Sequence, residues 1–300
     1  MKLLNAEIRI ENSSICNARC CYCPREKLTR KQTTLPNFHF FELVNQAKEL
    51  GAELISIFGY GEPLLDSGVS MKVKYVTHSG LMSFITTNAV FLTQGRCWSL
   101  LDSGLSRIRI SVHSIHEDEY ELIHKGLRFH EVMQNIDNLL EMKTKHNFDC
   151  IIDINCIPLL FIDFQEVITF WESKGIDNLE IWKPHNWAYG RNYRKGIVRK
   201  KTCGRPFNGP VQINADGTMM VCCFDFDSKM TVGNTYEHTI ENILKSDAFE
   251  NIREKHLSGD LSGLPCELCD QLYEGDNPLI YSSIDNEINK SYATKTLLGD

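Results

Sequence analysis

Cys16-Asn17-Ala18-Arg19-Cys20-Cys21-Tyr22-Cys23 sets three cysteines at the spacing C-x3-C-x2-C, with Cys21 as an extra thiol inside it. Thiols at this density point to a metal or to disulfides, and the compartment decides which. The chain runs from Met1 into an alternating, strand-like segment without a charged and then apolar leader. A cytoplasmic, reducing setting is therefore expected, and the cysteines read as metal ligands or core residues. Three thiolates on one short loop suit three corners of a cubane iron–sulfur cluster, whereas mononuclear zinc needs a fourth ligand to close its tetrahedron. The nearest candidate for that fourth ligand is the distant His39. An iron without a protein ligand is open to a substrate or cofactor. Chance alone yields this spacing in roughly one such sequence in fifty, so the rest of the chain has to corroborate it.

The 300 residues suffice for one large domain, or for one with an appendage. An apolar fraction of 42% is ordinary for a globular core. No run approaches the roughly 18 apolar residues of a membrane helix, so no membrane is expected. A formal charge of −7 argues against a nucleic-acid partner held through its phosphates. The basic segment Arg191, Arg194, Lys195, Arg199, Lys200 and Lys201 reads as a solvated loop.

Outward from the cysteine loop, strand and helix patterns alternate through the first 185 residues. Strands are expected at 7–11, 54–58, 81–87, 107–112, 149–157 and 179–182, and helices at 40–50, 69–78, 93–101, 117–124, 129–145 and 164–173. Six such repeats predict an α/β fold, a partial (β/α)6 TIM-like barrel with parallel strands and right-handed crossovers. The pattern breaks after Lys183. Segments 211–214 and 218–222 flank Asp216-Gly217 as a hairpin, and a single helix is expected over 239–255. The expected domains are a barrel over 1–185, a linker or lid over 186–202, a small hairpin-plus-helix domain over 203–272 and a polar tail over 273–300.

In parallel α/β folds the ligand lies at the carboxyl ends of the strands. Four strand ends carry unusual residues: the cysteine loop, Gly59-Tyr60-Gly61-Glu62-Pro63, Thr86-Thr87-Asn88 and Ser111-Val112-His113-Ser114. Singly each reads as turn chemistry, since Gly-x-Gly is a weak signal and Asn88 suits a helix cap. At successive strand ends they read as one site. With motifs in this order, residues 4–185 resemble the radical S-adenosylmethionine (SAM) superfamily. The resemblance implies that Cys16, Cys20 and Cys23 ligate a 4Fe–4S cluster whose open iron is chelated by SAM. Gly61-Glu62-Pro63 is similar to the family's glycine-glutamate-proline element, with Glu62 accepting from the SAM ammonium. By the same resemblance Tyr22 falls beside the adenine, and Asn88 and Ser111 contact the ribose and methionine parts. His113 stands where the family often has aspartate. Lys125 stands where many members have arginine, whose bidentate fork lysine lacks.

A second set comprises Cys203, Cys222-Cys223, Cys266 and Cys269. The residues alone allow a zinc site with four cysteines. The run Cys203 to Phe207, the hairpin, Cys222-Cys223, Gly233-Asn234, a helix and Cys266-x-x-Cys269 resembles the superfamily's C-terminal auxiliary-cluster region, SPASM or the shorter twitch form. That implies a second 4Fe–4S cluster on Cys203, Cys222, Cys266 and Cys269, fully ligated and suited to electron transfer. By the same resemblance Cys222 is preferred to Cys223, because it ends the hairpin strand as in the family pattern. Cys21, Cys97, Cys150 and Cys156 read as core or loop thiols. His185, Trp187, Tyr189 and Arg191 follow the sixth strand. They read either as an aromatic interface plug or as a functional set in which Arg191 or His185 is a substrate contact or a general base.

By the resemblance, a flavodoxin- or ferredoxin-like donor reduces the first cluster, and SAM is cleaved to methionine and a 5′-deoxyadenosyl radical that takes hydrogen from a small-molecule substrate. The layout resembles twitch-type members that oxidise a secondary alcohol of an aminocyclitol. A dehydrogenase-type oxidoreductase acting on a small, polar, sugar-like metabolite is therefore expected. A radical epimerase with Cys223 as hydrogen donor is one alternative. Another is a peptide-modifying maturase, although the cysteine loop begins early for a leader-binding domain. A non-catalytic protein with two zinc sites is the alternative from a different class.

Overall fold

Strands and helices alternate as expected in the computed structural model, which describes residues 2–159, 163–184, 186, 198–273 and 279–283. β1 (Glu7–Ile10) leads into the cysteine loop, and α1 (Asn37–Glu49), β2 (Leu54–Ile57) and α2 (Val69–His78) follow. Next come β3 (Met82–Thr87), α3 (Gln94–Asp102), β4 (Arg107–Ser111), α4 (Glu117–Ile123), α5 (Phe129–His146), β5 (Ile151–Cys156), α6 (Phe164–Lys174) and β6 (Asn178–Trp182). The C-terminal part holds α7 (Arg205–Asn208), β7 (Val211–Ile213), β8 (Thr218–Met220), β9 (Thr231–Asn234), α8 (Ile240–Leu244), α9 (Asp247–Ser258) and β10 (Leu279–Ser282). This is an α/β fold of mostly parallel strands, a partial TIM-like barrel with a small C-terminal appendage. Among the described residues no helix is long and apolar enough to cross a membrane.

Local chemistry sets the element ends. Thr93 caps α3, and the Asp163 carboxylate accepts from the Gln165 and Glu166 amides at the start of α6. Asn147 and Gly175 close α5 and α6 in the left-handed conformation. Val132, Ile136 and Leu139 line the buried side of α5, whose last turn carries Lys143, Lys145 and His146.

The chain divides into two compact units. The first contains the described residues of 2–16, 24–83 and 186–273. Here β1 pairs in parallel with β2 on one side and β7 on the other, and β7, β8 and β9 continue antiparallel. The second contains the described residues of 17–23, 84–184 and 279–283. In it β4, β5 and β6 are parallel, with Ile108 opposite Ile152 and Ile154 opposite Leu179, and the β3 residues from Phe84 onward pair with β4. The chain crosses between the units within β3.

Three features differ from the sequence expectation. The helix expected over 239–255 is two helices, because the Ser246 hydroxyl accepts from the Phe249 amide and starts α9 afresh. The hairpin gains a third strand, β9, whose single buried residue, Val232, gives no alternating apolar pattern. Within the polar tail, Leu279–Ser282 forms β10 antiparallel to β6.

Glu11, at the end of β1, ties the first unit together. Its carboxylate is 2% exposed and takes both terminal nitrogens of Arg30 at 2.7 Å, the Tyr60 amide at 2.8 Å and the Ala215 amide at 3.0 Å. A buried charge so fully paired is strongly missed when one partner is removed. Glu11→Gln is expected to lower unfolding stability by about 3–5 kcal/mol in urea titrations. Arg128→Gln breaks only an exposed pair with Glu121, and its expected cost is below about 1 kcal/mol.

Candidate cofactor and active site

In the first unit, the tip of β2 is pressed against the tip of β1. A Cβ on Gly59 would stand 2.4 Å from the Glu11 side chain, and one on Gly61 only 2.1 Å from the Ser13 carbonyl. Only glycine fits at either position, which explains the Gly-Tyr-Gly spacing. The Glu62 amide donates to the Ile15 carbonyl at 2.8 Å. The Glu62 side chain, 2% exposed, caps the short turn after it by accepting from the Leu64 amide at 3.0 Å. Asn12 donates to the Pro63 carbonyl and to Asp66, and the fully buried Lys72 pairs with Asp66 and the Leu35 carbonyl. Burial lowers the Lys72 pKa, and Asp66 works against that shift.

The C-terminal cysteines belong to this unit as well. Cys266 and Cys269 are buried, Cys222 and Cys223 half-buried and Cys203 exposed. Phe224 packs with Cys269, Cys222 and Cys223. The Cys222 sulfur accepts from the Phe224 amide at 3.4 Å, whereas the Cys223 sulfur receives Arg9 at 3.7 Å and Arg205 at 3.4 Å. Burial disfavours the Arg9 charge, but Cys223 and Glu7 outweigh it and raise its pKa; Cys223 is the first cause raising that of Arg205. Two guanidiniums on one sulfur stabilise negative charge there. The Tyr60 hydroxyl donates to the Cys223 carbonyl.

Burial pushes the thiols of Cys266 and Cys269 up to about 12. At ordinary pH they are therefore neutral thiols. Four cysteines, with no carboxylate or imidazole among them, are a donor set that fits iron–sulfur ligation. Among the described residues, no three Cys, His, Asp or Glu side chains form a group that could hold a single metal ion. All twelve cysteines are thiols rather than disulfides. Cys97, Cys150 and Cys156 are buried with thiols also pushed to about 12, the state expected of inert core residues.

Of the loop cysteines, Cys16 belongs to the first unit and Cys20 and Cys23 to the second. In the second, the Arg19 amide donates to the Lys125 carbonyl at 2.8 Å and the Cys21 amide to the Ile123 carbonyl at 2.9 Å. Cys20 thus sits opposite His124, with its sulfur 3.5 Å from His124 Nδ1. The Tyr22 ring lies 4.5 Å from that of His113 and meets that of His124 edge-on at 5.8 Å. His113, 1% exposed, points inward, and its Nδ1 accepts from the Ile157 amide. Asn88 donates to the Asn17 side chain and accepts from the Val90 amide. Ser111 is half-buried at the tip of β4, and Lys125 is exposed. His185 and Arg191 lie outside the described residues.

One constellation was missed in the sequence reading. Parallel strands covered on both faces usually read as continuous apolar runs. β4 instead reads Arg107-Ile-Arg109-Ile-Ser111, and its polar face continues across β5 and β6 in Asp153, Asn155, Asn178 and Glu180. Arg107 pairs with Asp153, and Glu180 receives Arg109 at 2.7 Å and the Trp182 indole at 2.7 Å. Burial raises the Asp153 pKa and Arg107 opposes it. The strict alternation of β4 was the available signal, and it marks a polar, half-buried face. His124 gave no signal of this kind, because its role depends on which backbone it meets.

Comparison with known proteins bears on these groupings. The sequence profile of the radical SAM superfamily matches residues 10–170, and that of an iron–sulfur cluster-binding (SPASM) domain matches 203–270. The S-adenosyl-L-methionine-dependent 2-deoxy-scyllo-inosamine dehydrogenase of Niallia circulans is 26% identical over 260 residues, covering 85% of this chain and 88% of its own length. The GTP 3′,8-cyclase of Listeria monocytogenes is 33% identical over 143 residues, but only 45% of this chain and 41% of the cyclase are covered. Among solved structures, BtrN in complex with AdoMet and 2-DOIA has a TM-score of 0.59 at 21% identity, over 90% of this chain and 93% of its own. Streptococcus suis SuiB bound to its precursor peptide has a TM-score of 0.67 at 15% identity, over 89% and 70%. At these identities the two structures establish likeness of fold. The matches imply bound SAM and iron–sulfur clusters.

Burial is the first cause lowering the pKa of His39, His124 and His256. The unfolded chain takes up protons near the ordinary histidine pKa of about 6.5, and the folded chain does not, so stability rises with pH through this window. Urea unfolding of the metal-free protein is expected to show stability falling from about pH 7 to about pH 5.5. Constant or rising stability over that range would contradict the burial argument.

Proposed function

The chain belongs to the radical SAM superfamily, and on that premise we propose that it is a dehydrogenase-type oxidoreductase acting on a small, polar, sugar- or aminocyclitol-like substrate. The observation that carries the proposal is the reach of one likeness. The aminocyclitol dehydrogenase matches over 85% of this chain and 88% of its own length, whereas the cyclase matches over 45% and 41%. In this reading Cys16, Cys20 and Cys23 hold the SAM-binding cluster, and Cys203, Cys222, Cys266 and Cys269 hold the auxiliary one. Gly61, Glu62, Pro63, Tyr22, Asn88 and Ser111 line the SAM site, with His113 behind Tyr22 and Lys125 at its edge. When bound, SAM and its reduced cluster supply a 5′-deoxyadenosyl radical that takes hydrogen from a C–H bond, and the second cluster supplies an electron sink.

The protein's own contribution is to position, to shield and to place charge. Cys222 is favoured as auxiliary ligand because its sulfur accepts a backbone amide as metal-bound thiolates do, while Cys223 faces two guanidiniums. That environment stabilises a thiolate and works against Cys223 as a hydrogen-atom donor, which supports oxidation over epimerisation. The reductant is expected to be flavodoxin- or ferredoxin-like.

Anaerobically reconstituted protein with SAM, dithionite and 2-deoxy-scyllo-inosamine, or a related aminocyclitol, is expected to form 5′-deoxyadenosine and a product two hydrogens lighter by mass spectrometry. Cys20→Ala is expected to form neither. A product of unchanged mass that carries solvent deuterium, lost in Cys223→Ala, would establish epimerisation instead. Iron analysis separates the two neighbouring cysteines: Cys222→Ala is expected to lose about half of the bound iron, and Cys223→Ala to keep it.

A further inference from the structure

We propose that His124 donates an N–H···S hydrogen bond to Cys20 and so raises the reduction potential of the cluster held by Cys16, Cys20 and Cys23. The proposal rests on the reading of Cys20 as a ligand of that cluster. His124 Nδ1 is 3.5 Å from the Cys20 sulfur. The other ring nitrogen, Nε2, faces the His113 amide at 3.3 Å. An amide only donates, so Nε2 of the neutral ring is the acceptor and the proton sits on Nδ1, directed at sulfur.

Backbone and ring contacts hold this donor in place. The Arg19 and Cys21 amides bond to the Lys125 and Ile123 carbonyls at 2.8 and 2.9 Å. The neighbours of Cys20 are thereby locked to the neighbours of His124, and the two side chains share one register. The imidazole is 0% exposed, stacks on Tyr120 at 4.5 Å and meets Tyr22 edge-on. It therefore points at sulfur without water competing for its proton.

A donor to a ligating thiolate stabilises the more negative, reduced cluster, so it raises the potential. His124 touches neither SAM nor substrate in this role; it is a positioning residue acting through Cys20. A cluster so supported is reducible by a weaker electron donor.

The test is an EPR-monitored redox titration of the reconstituted full chain, following the cluster signal that responds to added SAM. In His124→Phe the reduced-to-oxidised ratio at a fixed potential is expected to fall about tenfold, about 59 mV for a one-electron couple. His124→Gln, which keeps an N–H donor, is expected to recover most of the shift, and Tyr120→Phe, which keeps the stack, to leave it at the wild-type value. An unchanged potential in His124→Phe would overturn the proposal. His124→Leu provides the same reading if the Phe variant assembles no cluster, and failure of both to assemble would overturn the proposal in favour of a structural role. Cys20→Ala keeps the two readings apart. Retention of the SAM-responsive signal there would overturn the ligand reading itself, whereas its loss beside an unshifted His124→Phe would overturn only the role of His124.

Discussion

A carboxylate taken out of water needs every lone pair answered, and Glu11 meets that demand by drawing three other chain segments to one point. Arg30 comes from the stretch after the cysteine loop, the Tyr60 amide from the glycine-rich tip of β2 and the Ala215 amide from the turn after β7. Because desolvation of the charge is expensive unless all its partners are present, the segments are fixed together rather than separately. Gly59 follows from the same constraint, since any side chain there would occupy the space of the Glu11 carboxylate. The tip of β2 and the turn after β7 are thereby held to the end of β1 at one carboxylate.

The sulfur atoms of this protein sit in three distinct environments, and environment rather than residue type sorts their roles. Cys97, Cys150 and Cys156 are buried away from water, which suppresses ionisation. Cys223 faces two guanidiniums, Arg9 of β1 and Arg205 of α7, both of which carry charge because sulfur and Glu7 oppose the penalty of burial. Cys20 faces an imidazole whose tautomer is set by a backbone amide. A lysine or arginine placed by chance would not produce these pairings. Each depends on a strand or turn that brings the partner in at a fixed register.

Charge inside the second unit follows a similar rule. Arg107 and Arg109 on β4 meet Asp153 on β5 and Glu180 on β6, while the opposite strand face is a row of buried isoleucine and leucine. Opposite charges on neighbouring strands offset the cost of partial burial that each would carry alone.

What the sequence determined by itself was everything written in local pattern. The six strand–helix repeats, the cysteine spacing, the glycine-rich β2 tip and the second cysteine set were all legible because periodicity, turn chemistry and ligand spacing act over a few residues. Only the tertiary structure decided matters that rest on long-range register. Nothing local announces that β7 adds in parallel to β1, that Leu279–Ser282 pairs with β6 or that Ser246 divides a helix whose apolar period runs on through it. The same holds for Glu11 with Ala215, Arg9 with Cys223 and Cys20 with His124, pairs separated by 204, 214 and 104 positions. Such contacts depend on which strands become neighbours, a property of the folded chain that no window of sequence contains.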